Sequence, residues 1–140
     1  MLTFIKSLVL FAILTYSVSA TSVAAPNCGP ANKVTLSDCT SALSTYNADG
    51  NGMVIQSQPS NQKSCGGCQI NVYTRNGRDL RFSMRGAQEA LNSVLTSCRN
   101  GYGSVSIAEL LTPGQSFSPT VLSVEKGSGR NCGSYSNYKA

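Results

Sequence analysis

Two cysteines three positions apart, Cys65 and Cys68, open the stretch that most restricts how this chain can fold. From Ser64 to Ser83 it reads S-C-G-G-C-Q-I-N-V-Y-T-R-N-G-R-D-L-R-F-S. Ile70, Val72 and Thr74 fall on one side of a strand, because successive side chains point to opposite faces. Asn76-Gly77 comes next, and Asn-Gly between two such runs favours a type I′ turn, whose central residues both need φ > 0. The pattern predicts a central, disulfide-pinned hairpin with Leu80 and Phe82 on the returning strand and a basic loop end.

The N-terminus carries the marks of a secretory signal over residues 1–20. Lys6 supplies the basic region, Leu8–Leu14 the apolar region, and Val18-Ser19-Ala20 the small residues of a cleavage site. The apolar run is shorter than a bilayer span requires. Secretion sets the redox context for Cys28, Cys39, Cys65, Cys68, Cys98 and Cys132, an even set lying wholly beyond the signal. In an oxidising route such a set reads as three disulfides. Cys65-x-x-Cys68 alone would also suit zinc or thiol redox chemistry. The chain has no histidine, and no thioredoxin-like βαβ pattern surrounds the pair, so structural disulfides are expected, with no metal or cofactor.

Eleven basic and six acidic side chains give +5, and loss of Lys6 with the signal leaves ten and six, or +4. Only 12% of the residues are charged, yet Arg75, Arg78, Arg81 and Arg85 crowd into one short stretch. They form a candidate binding patch for an anionic partner such as a headgroup, a wall polymer or an acidic channel mouth. The competing reading is a solvated hairpin tip whose arginines protect a sheet edge.

Residues 21–34 read as an extended lead-in tied by Cys28. Thr35 or Ser37 caps a first helix, with Thr35-x-x-Asp38 at capping-box spacing and Leu36, Cys39, Leu43 and Tyr46 as one stripe. Asn47–Gly52 ends it with turn residues. Met53–Ser57 is a short strand, and Gln58–Lys63 a polar loop. Ser83 caps a second helix with Met84, Ala87, Leu91, Val94, Leu95 and Cys98 on its apolar face. Ser104–Leu111 and Thr120–Lys126 read as strands, and residues 133–140 as a flexible tail.

Helix, three strands, helix and two strands predict an α+β domain over residues 35–132. Two antiparallel helices pack on one face of a mainly antiparallel sheet of four to five strands. Antiparallel helices bring the first turn of one beside the last turn of the other, which favours a Cys39–Cys98 bridge. Cys28 and Cys132 then share Cys65 and Cys68, or pair with each other.

This layout resembles the killer-toxin-like secreted fungal effectors, which include a virally encoded killer toxin and the necrosis-inducing family carrying the Hce2 domain. The likeness rests on Cys28, Ser37-Asp38-Cys39 opening a helix, Gly50-x-Gly52 before a strand, and Cys68-Gln-Ile-Asn-Val entering the central strand. A helix through Ala87–Leu95 and the late Cys132 complete it. The resemblance implies an α/β-sandwich effector or antifungal toxin acting outside or at the surface of a target cell. The family pattern usually has one cysteine where this chain has Cys65-Gly-Gly-Cys68, which makes the extra cysteine a possible partner for Cys98. Met53-Val54 stands where an aromatic often follows the Gly-rich turn, and Thr112–Pro119 looks like an insertion. The killer toxin's channel-directed lysine has no matching position, so no functional residue carries over.

Catalysis is not expected. Without histidine, Ser/His/Asp, Cys/His and histidine-dependent ribonuclease schemes are closed. A carboxylate pair for glycoside hydrolysis would have to come from Asp38, Asp49, Asp79, Glu89, Glu109 and Glu125, and nothing in their spacing unites two of them. Arg75, Arg78 and Arg81 with Tyr73 and Phe82 would suit phosphate contact and base stacking, but Phe82 reads as core and no specific nucleic acid is expected. The sequence thus points to a small, basic, cysteine-rich secreted effector or toxin-like virulence protein. It would act by binding a cell-surface membrane protein, channel or wall polymer of a host or competitor. The alternative is a non-toxic wall or surface binding protein.

Overall fold

The computed structural model describes residues 25–107 and 120–132. The expected signal, the stretch Thr112–Pro119 read as an insertion and the expected tail 133–140 lie outside these residues. Seven strands and two helices follow in the order β1 (Asn27–Cys28), α1 (Leu36–Ser44), β2 (Met53–Gln56), β3 (Ser60–Cys65), β4 (Cys68–Thr74), β5 (Leu80–Ser83), α2 (Met84–Ser97), β6 (Gly103–Ser106) and β7 (Thr120–Lys126). The chain is α+β, with a five-stranded antiparallel sheet in the order β1-β6-β7-β4-β3 and a separate antiparallel ribbon of β2 and β5.

Both helices begin where side-chain oxygens meet their open backbone donors. Thr35 accepts from the Asp38 N–H at 3.3 Å, and Ser83 accepts from the Gly86 N–H at 3.0 Å. Each cap of this kind stabilises its helix by about 1 kcal/mol. Along α1, Cys39, Ala42 and Leu43 are buried, followed by Tyr46 just past its end. Leu36 departs from the predicted stripe and is 56% exposed. It occupies the first helical position, one turn before the residues that meet the sheet. On α2, Ala87, Ala90, Leu91, Val94 and Leu95 are buried together with Gly86.

The five-stranded sheet has two chemically different faces. One carries Ile70 and Val72 of β4, paired in register with Val124 and Leu122 of β7, and Val105 of β6 opposite Leu122. These side chains are buried, and α1 contacts β3 and β4 while α2 contacts β6 and β7. The opposite face presents Gln62, Asn71, Ser123, Ser104 and Asn27 in one row across all five strands.

The predicted hairpin across Asn76-Gly77 does not form. β4 is an interior strand, hydrogen-bonded to β3 on one edge and β7 on the other, so neither edge is open to β5. Asn76-Gly77 still turns the chain: Gly77 has φ +70, and Arg78 donates its N–H to Asn76 Oδ1 at 3.1 Å. That turn carries the chain from one sheet to the other, and β5 pairs with β2. The true hairpin lies one step earlier, between β3 and β4, where Cys65 faces Cys68 across Gly66-Gly67. Gln58–Lys63, read as a loop, therefore supplies most of β3. Its Ser, Asn, Gln and Lys residues suit an edge strand with a solvated side.

The disulfides differ from the favoured Cys39–Cys98 pair. Cys39 is bonded to Cys68, Cys28 to Cys98 and Cys65 to Cys132. The physical reason is where the helix ends lie. The first turn of α1 sits over the start of β4, so Cys39 reaches Cys68 at a Cα separation of 5.0 Å. The C-terminus of α2 lies against β1, so Cys98 reaches Cys28. The lead-in is thus part of the fold, as the outermost strand of the sheet.

Candidate functional site

The four arginines of the candidate patch are all exposed, and they sit on three successive elements. Arg75 and Arg78 flank the Asn76-Gly77 turn, Arg81 lies on β5, and Arg85 is in the first turn of α2. The turn is closed by the Thr74 hydroxyl, which donates to the Arg78 carbonyl at 2.6 Å. Strand alternation then orients β5: Leu80 and Phe82 are buried, so Arg81 faces outward.

Opposite Arg81 on the ribbon stands Ile55, 56% exposed. Inward on the same ribbon, Val54 faces Phe82, and the Phe82 ring meets Tyr46 edge-on at 5.6 Å. Tyr46 donates its hydroxyl to the Asn61 carbonyl at 2.6 Å, with the Ile70 carbonyl at 3.2 Å. Burial pushes this phenol well above its ordinary range, partly opposed by a backbone hydrogen bond at Val72. The outward face of the ribbon is therefore cationic and apolar, mounted on a packed aromatic base.

Only one of the four arginines is neutralised. Arg85 pairs with Glu89 at 3.4 Å one helical turn away, both largely exposed. Such a pair is worth a few tenths of a kcal/mol. It is the only ion pair among the described residues, and among them Arg75, Arg78 and Arg81 have no carboxylate partner.

Of the other carboxylates considered for chemistry, Asp79 is exposed and the next three have structural employment. Asp38 accepts the Gly67 N–H at 2.9 Å, and Asp49 accepts the N–H groups of Asn51 and Met53, both at 2.9 Å. Glu125 accepts from Gln69 and Ser123, each at 3.1 Å. Glu109 lies outside the described residues. Cys65 and Cys68 bond to different partners, so they are not a dithiol pair. Among the described residues no group of three or more His, Cys, Asp or Glu could hold a metal ion.

Ile55 is the member of this surface that sequence reasoning missed. Three apolar residues in a row, Met53-Val54-Ile55, hide which one faces out. Only the pairing of Val54 with the buried Phe82 decides it. No family model, curated protein or solved structure matches the chain.

Proposed function

We propose that this is a small secreted, disulfide-stabilised effector or toxin-like protein that works by binding an anionic component at or outside another cell. It belongs, in this reading, with the killer-toxin-like effectors, and both helices lie antiparallel on the apolar face of the five-stranded sheet. The contacting surface is the outward side of the β2–β5 ribbon and its adjoining turn, with Arg75, Arg78 and Arg81 as the charged contacts and Ile55 as the apolar one. Catalysis plays no part.

One observation carries the reading: Arg81 stands opposite the exposed Ile55 on a ribbon with Val54 and Phe82 packed beneath it, and Arg75 and Arg78 flank the adjoining turn, all three arginines exposed and without a carboxylate partner among the described residues. Unpaired arginines present forked donors to carboxylates and phosphates, and a neighbouring apolar side chain adds contact area when water is excluded. Three disulfides and helices too short to cross a membrane, among the described residues, suit a protein released from its cell. The non-toxic surface-binding alternative uses the same patch and differs only in the consequence of binding.

The test applies the oxidised mature protein to plant leaf cells and fungal cells, scoring bound protein and viability separately. Binding followed by death of either cell type is the expected result. Replacing Arg75, Arg78 and Arg81 by Ser should abolish binding while leaving the fold intact. Binding without death would favour the non-toxic alternative, and undiminished binding by the triple variant would remove the patch from the mechanism.

A further inference from the structure

The polar face of the five-stranded sheet holds a second feature, distinct in chemistry from the arginine ribbon. Where β1, β6 and β7 run together, a cleft of about 340 Å³ is lined by residues including Asn27, Tyr102, Ser104, Ser123 and Glu125. Its volume is at the small end of ligand pockets. The cleft lies toward the Cys68 and Lys126 ends of the paired β4 and β7, whereas Arg75 follows the opposite end of β4. Seven residues of strand separate the two, roughly 20 Å.

The cleft's lining carries one carboxylate, Glu125, and one ammonium, the exposed Lys126. Glu125 is half-buried and uses each carboxylate oxygen once, Oε2 from Gln69 and Oε1 from Ser123. An ionised carboxylate accepts about four hydrogen bonds, so roughly half its capacity is open. Neither Lys nor Arg pairs with it among the described residues. Ser104 stands in register with Ser123, and Asn27 with Ser104, extending the hydroxyl and amide row from Glu125 across the cleft. Tyr102, half-buried, supplies an aromatic wall.

A separate observation shows that this row is short of a donor. Asn71 lies opposite Ser123 on the adjacent strand, and its Oδ1 is buried with no hydrogen-bond partner. Leaving such a group unsatisfied is costly, so native structures rarely do it without cause. The nearest hydroxyl in register, that of Ser123, is committed to Glu125.

We propose that this cleft binds a neutral, hydroxyl-rich glycan segment, with Glu125 as the central acceptor and Tyr102 as a stacking wall. Sugar hydroxyls donate to the open positions of the Glu125 carboxylate. That frees the Ser123 hydroxyl to turn toward Asn71 Oδ1. A neutral ligand fits because Glu125 and Lys126, the two charged residues of the lining, leave the cleft with no net formal charge to favour an anion or a cation. A peptide strand fits less well, because the sheet backbone beneath the cleft is already paired on β6 and β7. Planar amide, carboxylate and hydroxyl groups beside an aromatic ring match the alternating polar edges and apolar faces of pyranose rings.

The experiment is a backbone-amide NMR titration of the oxidised mature protein with three probes: a β-glucose hexasaccharide, an N-acetylglucosamine hexasaccharide and hexagalacturonate. At least one neutral hexasaccharide should shift the amides of Ser104, Ser123 and Glu125. Glu125→Gln should weaken that binding by roughly ten- to a hundredfold. Ser104→Leu, which fills the cleft from a half-exposed position, should abolish it with the remaining spectrum unchanged. The Arg75, Arg78, Arg81→Ser variant should bind the sugar as before. No shift from either neutral probe up to about 10 mM would overturn the proposal. So would binding that survives both cleft substitutions, or shifts from hexagalacturonate alone.

Discussion

The two ends of β4 are built in opposite ways. At its start, the Gly66-Gly67 turn is gripped from two sides. Asp38 of α1 accepts the Gly67 N–H at 2.9 Å, and Cys39 next to it is bonded to Cys68. From the other side the segment after β7 folds over the turn. Gly66 donates to the Arg130 carbonyl at 2.7 Å, Gly129 donates to the Gly66 carbonyl at 2.8 Å, and Cys132 is bonded to Cys65. At its far end, beyond Thr74, the chain runs through an exposed turn in which the Thr74 hydroxyl donates to the Arg78 carbonyl and the Arg78 N–H donates to Asn76 Oδ1. One end spends its polar groups and cysteines inside the molecule, and the other leaves its arginines at the surface with no carboxylate partner among the described residues. A residue type that is crowded in sequence is thus tied into the fold where its partners lie within the chain and left at the surface where they do not.

The largest effect should come from breaking the tied end. Replacing Cys39 and Cys68 together by Ala should lower stability by about 2–5 kcal/mol, read from chemical denaturation. A loss comparable to that of surface substitutions would show that the non-covalent grip suffices and would weaken the contrast.

Gly66→Ala should follow, at about 1–3 kcal/mol. Gly66 has φ +54, and a Cβ there would approach Asp38 Oδ2 to 2.5 Å. Gly77→Ala at the open end shares the positive φ, at +70, but meets nothing within 4 Å, so it should cost less. Equal losses would mean that backbone strain alone governs both turns. Thermal denaturation of the two variants side by side separates these outcomes.

Tyr46 offers a smaller, pH-resolved test of the packed base beneath the ribbon. Its phenol is held above its ordinary value by burial, so the folded protein keeps that proton to higher pH than the unfolded chain does. The contribution is whole below the unfolded value of about 10 and is lost as pH rises above it. Tyr46→Phe should destabilise by about 1 kcal/mol near neutrality and flatten that part of the alkaline decline. Parallel declines in the two proteins would remove Tyr46 as its source.

Smallest of all should be the stability change on replacing Arg75, Arg78 and Arg81 by Ser, within about 0.5 kcal/mol. The same variant should lose target binding. A large stability loss would mean that this end, too, is structural.

Local chemistry was readable residue by residue. Thr35 and Ser83 announce the helix starts, the Ile70-x-Val72-x-Thr74 alternation announces β4, and Thr120–Lys126 announces β7, all of which the structure contains. The arginine cluster was legible as well, because four residues of one charge lie close along the chain. Its apolar companion Ile55 was not, since it comes from another strand and is placed by pairing. β3 was illegible because Ser60-Asn-Gln-Lys-Ser has loop composition, and its strand geometry comes from the β4 edge beside it.

Composition and short-range pattern determined the helices, the two longest strands, the even cysteine set and the exposed charge. These depend on neighbours within a few positions, through capping, alternation and turn conformation. Partner choice was decided by the tertiary structure alone. It placed β4 between β3 and β7, gave β5 to β2, and joined Cys39 to Cys68 and Cys28 to Cys98. Many strand pairings and cysteine connectivities satisfy the same local pattern. Only burial of one shared core selects among them, because residues of α1, α2 and the strands β4, β6 and β7, distant in the chain, have to be buried together.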